Sequence, residues 1–133
     1  LRDREPAGVE RERRRGRLFT TGLWYHRLCR ALAAPRVVGQ LSSALADAPP
    51  AVAAGALASV VELPDVVGLI SLRELAWPMG QVLHRHRLNL ITLEALCAAR
   101  RVGATICLAE ANDSPMLRAA ARDLEVPVLA LAA

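Results

Sequence analysis

The chain has 133 residues, of which 53% are hydrophobic and only 3% aromatic. Its core must therefore be built from Ala, Leu and Val, which favours helices packed on a parallel sheet over an aromatic-rich β-sandwich, in one domain large enough to bury a core without disulfides. The formal net charge of +4 divides unevenly: residues 1–17 hold seven Arg against four acids, and the other 116 residues hold ten Arg and nine acids, which argues against a uniformly basic nucleic-acid-binding body.

Every basic residue is Arg and none is Lys, which reads as a coding bias. A local patch of Arg85, Arg87, Arg100 and Arg101 remains able to contact phosphate. Cys29, Cys97 and Cys107 are widely spaced, with no C-x-x-C and no His at zinc-ligand spacing, so they read as buried thiols. That usage fits a reducing cytoplasm. No signal-peptide pattern opens the chain and no apolar run reaches the ~20 residues of a membrane span, so the expectation is a cytoplasmic protein with no membrane partner.

Residues 1–16 (LRDREPAGVERERRRG) mix both charge signs with Pro and Gly and predict a disordered charged tail or a frayed helix, with residues 17–133 as the folded domain. The RERRRGR run within and just beyond it is a candidate phosphate-binding arm. Arg17–Thr21 (RLFTT) reads as a first strand stopped by Gly22. Three helices follow: an amphipathic one over Leu23–Ala34 ending before Pro35, a second over Val37–Ala46, and a third of small residues over Ala51–Leu63.

Val66–Ser71 (VVGLIS) is apolar on both faces, the pattern of a buried parallel strand. Ser71 and Glu74 have capping-box spacing at the start of a helix running to about Arg87, with a kink expected at Trp77-Pro78. Thr92 is read as the cap of a helix over Leu93–Val102, stopped by Gly103, and Ala104–Leu108 as the next strand. Ser114–Glu125 is the last long helix, with Pro115 in its first turn and Asp113 or Ser114 as cap; Val126–Leu131 is the last strand. The order β, α, α, α, β, α, α, β, α, β implies an α/β domain with a mostly parallel sheet of about four strands.

Several acids fall near one edge of that sheet: Glu94 near a helix start, Glu110 and Asp113 just past a strand, and Glu74 at the head of the helix before them. In open α/β folds the crevice beyond the carboxyl ends of the strands holds ligands, which makes these acids candidate metal ligands. Glu74 and Glu94 also suit a helix N-terminus, where negative charge meets the dipole. His26 could pair with Thr20 or Thr21, whereas His84 and His86, two residues apart, point to different sides of a helix. Trp24, Tyr25 and Trp77 read as core or groove-lining residues. No G-x-G-x-x-G or G-x-x-x-x-G-K-[ST] loop is present, which weighs against a nucleotide-binding α/β domain.

The element order, with TLEALCAARRVGA and RAAARDLEVPVL, resembles the PIN-domain family of metal-dependent ribonucleases, which includes the toxins of bacterial toxin and antitoxin pairs. The resemblance covers roughly Leu18 to Leu131. It implies a PIN-like three-layer α/β/α domain and a Mg²⁺ (or Mn²⁺) ion held by Glu74, Glu94, Glu110 and Asp113, whose bound water attacks an RNA phosphodiester. Thr20 and Thr21 would orient water or phosphate. Where the family ends its first strand with Asp, this chain has Thr20-Thr21-Gly22. A hydroxyl is a weaker ligand than a carboxylate, so the implied hydrolase has a weakened metal site. The alternative is a catalytically inactive PIN-like module that acts through protein–protein or RNA binding. Single-stranded RNA, an antitoxin-like protein and a second copy of the chain in a homodimer are the partners implied.

Overall fold

A computed structural model describes residues 7–34 and 49–132. The chain divides into two compact units, Leu1–Leu69 and Ile70–Ala133. The helix predicted over residues 37–46 lies outside the described residues, as do residues 1–6 of the predicted tail.

In the first unit the charged segment forms a helix, α1 (Ala7–Arg14). It closes with Gly16 in the left-handed region (φ 62°) and the Arg17 N–H donating to the Glu12 carbonyl at 3.0 Å, a Schellman stop. The Glu12 carboxylate gathers Arg11, Arg15 and Arg17 at 3.8, 3.5 and 2.5 Å. These exposed pairs, worth about 0–1 kcal/mol each, give the segment the local support that its lack of apolar residues withholds.

Strand β1 (Leu18–Thr21) leads directly into α2 (Gly22–Leu32), and α3 (Pro50–Val61) follows with Pro50 at its first turn. The Tyr25 hydroxyl donates to the Val61 carbonyl at the end of α3, so Tyr25 is a tie between two helices. Strand β2 (Val67–Ile70) pairs with β1. At Gly68 an added Cβ would lie 2.6 Å from Cδ1 of Phe19, so the half-exposed Phe19 ring would have to shift. Contrary to the expected burial of both faces, Leu69 is 52% exposed and Val66 46%.

The second unit holds α4 (Leu72–Leu83), α5 (Leu90–Val102), β3 (Ile106–Ala109), a 3₁₀ turn (Glu110–Asn112), α6 (Pro115–Asp123) and β4 (Val128–Leu131). Strands β3 and β4 are parallel, with Ile106 opposite Val128 and Ala109 opposite Leu131. The α6 crossover between them is the connection that parallel neighbours require. The chain is a mixed α/β protein that has, among the described residues, two two-stranded sheets, β1 with β2 and β3 with β4, where the sequence predicts one sheet of about four strands. Each strand spans only four residues, so each ladder is short.

The core lies in this unit. Leu75, Met79 and Val82 of α4 meet Leu93, Leu96, Cys97, Ala98 and Ala99 of α5 and Leu117, Ala120 and Ala121 of α6, with Leu124 and Val126 closing the end. Small residues on α5 let α4 approach it closely, which is how an aromatic-poor chain fills its interior. Pro78 gives no N–H to the Glu74 carbonyl, yet α4 continues through it to Leu83. Helix α5 ends at Gly103 (φ 64°), with the Ala104 N–H donating to the Ala99 carbonyl at 2.9 Å. Helix α6 ends the same way, the Val126 N–H reaching the Ala121 carbonyl at 2.8 Å, but the left-handed residue is Glu125 (φ 55°) rather than glycine.

Two side-chain expectations are corrected. Cys97 is buried, and that burial pushes its thiol pKa up, but Cys29 is half-buried and Cys107 exposed because β3 alternates its faces. Trp77 is 77% exposed and Trp24 47%, so neither is a core residue. No helix among the described residues is long and apolar enough to cross a membrane.

Candidate functional site

The predicted acids sit on three connected pieces of the second unit, and each meets a different environment. Glu74 lies in the first turn of α4, capped by Ser71, whose Oγ accepts from the Arg73 N–H at 3.2 Å. The Glu74 carboxylate does not complete a capping box. It pairs instead with Arg101 of α5, Oε2 to Nη2 at 2.5 Å, with both side chains about half exposed.

Glu94 is fully buried. The sequence reading places it near a helix start, but α5 begins three residues earlier than predicted, at Leu90. Its cap is Asn89, whose Oδ1 accepts from the Thr92 N–H at 2.9 Å. Thr92 is therefore inside the first turn, and Glu94 stands in the second turn with Leu93 and Leu96 of the core on either side. A carboxylate in such surroundings is tolerated only when it is paired, hydrogen-bonded or protonated. Glu94 does have an interaction partner.

Asp113 follows the 3₁₀ turn, its N–H donating to the Glu110 carbonyl at 3.0 Å. Its carboxylate is held in a fork by Arg118 of α6: Nε to Oδ1 at 2.9 Å and Nη2 to Oδ2 at 2.7 Å. Arg118 also donates through Nη1 to the Val128 carbonyl at 3.0 Å. One guanidinium thus ties the exit of β3 to the start of β4. Hydrogen bonding from Arg118, with its charge, holds the Asp113 carboxyl below the usual carboxylate range. Of the two candidate caps for α6, Ser114 serves, its Oγ accepting from the Leu117 N–H at 3.2 Å. Glu110 is exposed in the turn.

Thr20 and Thr21 belong to the first unit. Thr21 is buried at the junction of β1 and α2, and its hydroxyl makes no capping bond and has no hydrogen-bond partner among the described residues. Thr20 is half-buried and His26 exposed. Among the described residues no three His, Cys, Asp or Glu side chains are grouped so as to hold one ion. The carboxylates of Glu74 and Asp113 face guanidinium groups instead.

One cluster escaped the sequence reading. His86, just past α4, makes a 2.9 Å hydrogen bond through Nε2 to Oδ2 of Asp123 at the end of α6, with Nη1 of Arg85 at 3.9 Å from the same oxygen. A carboxylate at a helix C-terminus opposes the dipole, and the His and Arg offset that cost. Hydrogen bonding from His86 leads the causes that lower the Asp123 pKa. The partners are 37 residues apart, and no local spacing announces such a pair. Comparison with protein-family models, with curated proteins and with solved structures finds no match to this chain.

Proposed function

We propose that the chain is a divergent, catalytically inactive PIN-like module that acts by binding single-stranded RNA. The reading takes in the three-layer PIN-like architecture implied by TLEALCAARRVGA and RAAARDLEVPVL. The observation that carries it is the Asp113–Arg118 fork. A carboxylate committed to a bidentate guanidinium, which also anchors β4, has its lone pairs directed at N–H groups and not at a metal ion. Glu74 is likewise engaged by Arg101, and the first strand ends in hydroxyls where a carboxylate would be needed.

The test adds Mg²⁺ or Mn²⁺ to the protein and follows its melting temperature and its cleavage of single-stranded RNA. The binding reading predicts RNA retention with no cleavage, and no metal-dependent shift that Glu94→Gln or Asp113→Asn removes. Metal-dependent cleavage abolished by those substitutions would replace it with the ribonuclease reading. Thr21→Asp adds a further arm: the binding reading predicts that it gains no cleavage.

A further inference from the structure

The net positive charge of the chain is concentrated between Ala7 and Ala34. Residues 7–34 carry seven Arg and two acids, whereas residues 35–133 carry eight Arg and nine acids and residues 1–6 balance. Helix α2 contributes Arg27, Arg30 and His26 and contains no Asp or Glu. It also has no buried residue. At about 100° per residue, its exposed side chains follow one another around a single arc in the order His26, Arg30, Arg27, Ala31, Trp24, Leu28.

Two details give this arc a chemistry beyond charge. The Arg27 guanidinium lies over the Trp24 ring, 5.3 Å from its centroid, so a cation and an exposed indole are already stacked. Such a pair offers one flat surface to a base and one cation to the adjoining phosphate. In addition, α1 and α2 both pack beside β1, and Arg11 of α1 with Arg15 and Arg17 just after it share the one carboxylate of Glu12, which leaves that segment cationic as well.

We infer that the exposed arc of α2, with Trp24 stacked under Arg27 and flanked by Arg30, is a docking surface for single-stranded RNA, with Arg11, Arg15 and Arg17 extending its track along the phosphates. The choice of RNA rests on the function proposed above; the location rests on the charge and the indole. Complementary charge selects a polyanion. The exposed ring selects unpaired bases over a duplex, whose bases are already stacked. An anionic membrane fits less well, because the apolar part of the arc is only Ala31, Trp24 and Leu28, a short stretch beside the cationic His26, Arg30 and Arg27.

The experiment measures anisotropy of a fluorescein-labelled oligouridine across a salt series, on a Trp77→Phe background so that indole fluorescence reports Trp24 alone. Binding quenches that fluorescence. Trp24→Ala weakens affinity about 5- to 100-fold, the span of one lost base stack, and Trp24→Phe restores part of it. Arg27→Met with Arg30→Met makes the log–log salt dependence shallower by about 1.4, two single-strand phosphate contacts. Arg122→Gln on α6 leaves binding unchanged, and circular dichroism verifies that each variant is folded. If RNA binds but the α2 variants change neither affinity nor salt slope, the surface is overturned and the RNA-binding function stands. If a duplex or an anionic vesicle binds more tightly than the single strand, the assigned partner is overturned. If no RNA binds at low salt, the function and the surface both fall.

Discussion

The two units are held together by different means. Among the described residues every buried hydrophobic side chain lies between Ile70 and Val126, whereas in the first unit only Thr21 is buried. The second unit is a helix-packed core around a parallel β3–α6–β4 crossover, and its polar side chains are spent on that architecture: Glu74 on Arg101, Asp113 on Arg118, Asp123 on His86. In the first unit the described helices turn arginines and an indole outward. The contrast separates a scaffold from a surface. In the proposed reading Glu74 and Asp113 brace the scaffold, and the arginines between Arg11 and Arg30 form the surface.

The largest expected effect breaks the scaffold. Leu96→Ala, at a fully buried position of α5, costs about 2–5 kcal/mol through lost burial and a residual cavity. Leu28→Ala, at a position of α2 that is 45% exposed, stays within about 0.5 kcal/mol. Urea unfolding of both variants measures the difference, and equal losses would mean that the first unit has a core of comparable weight.

A smaller pair of effects of opposite sign comes from the two helix stops. Gly103→Ala forces a side chain into φ 64° and Glu125→Gly relieves one at φ 55°. The first lowers and the second raises stability by about 1 kcal/mol. Thermal melts of the two variants should therefore move in opposite directions.

The smallest effect concerns acid. Because Asp113 and Asp123 are both held below the usual carboxylate range by their partners, each contributes stability that is fully present above the ordinary carboxylate pKa of about 4. That contribution is lost as pH falls through the depressed native values. Arg118→Met removes the Asp113 share, so the variant melts below the wild type at neutral pH and the gap closes as pH drops under about 4. A gap independent of pH would show that Arg118 acts through its Val128 contact alone.

What the sequence made legible was chemistry acting over a few residues. Ser71, Pro115 and Gly103 cap, open and stop their helices as expected, and Ser114 is one of the two caps expected for α6, because capping and helix termination depend on one side chain and the adjacent backbone. The same locality misled at Asn89. Thr92 and Asn89 are both good caps, and the helix starts from Asn89, which puts Glu94 in its second turn between the buried Leu93 and Leu96. The length of chain between partners hid the rest. Glu74 and Arg101, or His86 and Asp123, meet only after α4, α5 and α6 have packed, and no spacing in the sequence records the meeting. Strand burial was overread for a related reason: VVGLI is apolar throughout, but a four-residue strand beside one partner leaves Leu69 facing solvent.

The most direct test of the division between scaffold and surface is backbone hydrogen exchange with and without an unstructured oligouridine. Without RNA, amides of α4, α5 and α6 exchange at the rate of global unfolding, and those of α1 and α2 exchange faster. With RNA, protection rises across residues 11–32 and is unchanged across residues 72–126. Protection that instead rises at the turn around Glu110 and Asp113, with α2 unaffected, would contradict the account and return the acids to the functional site.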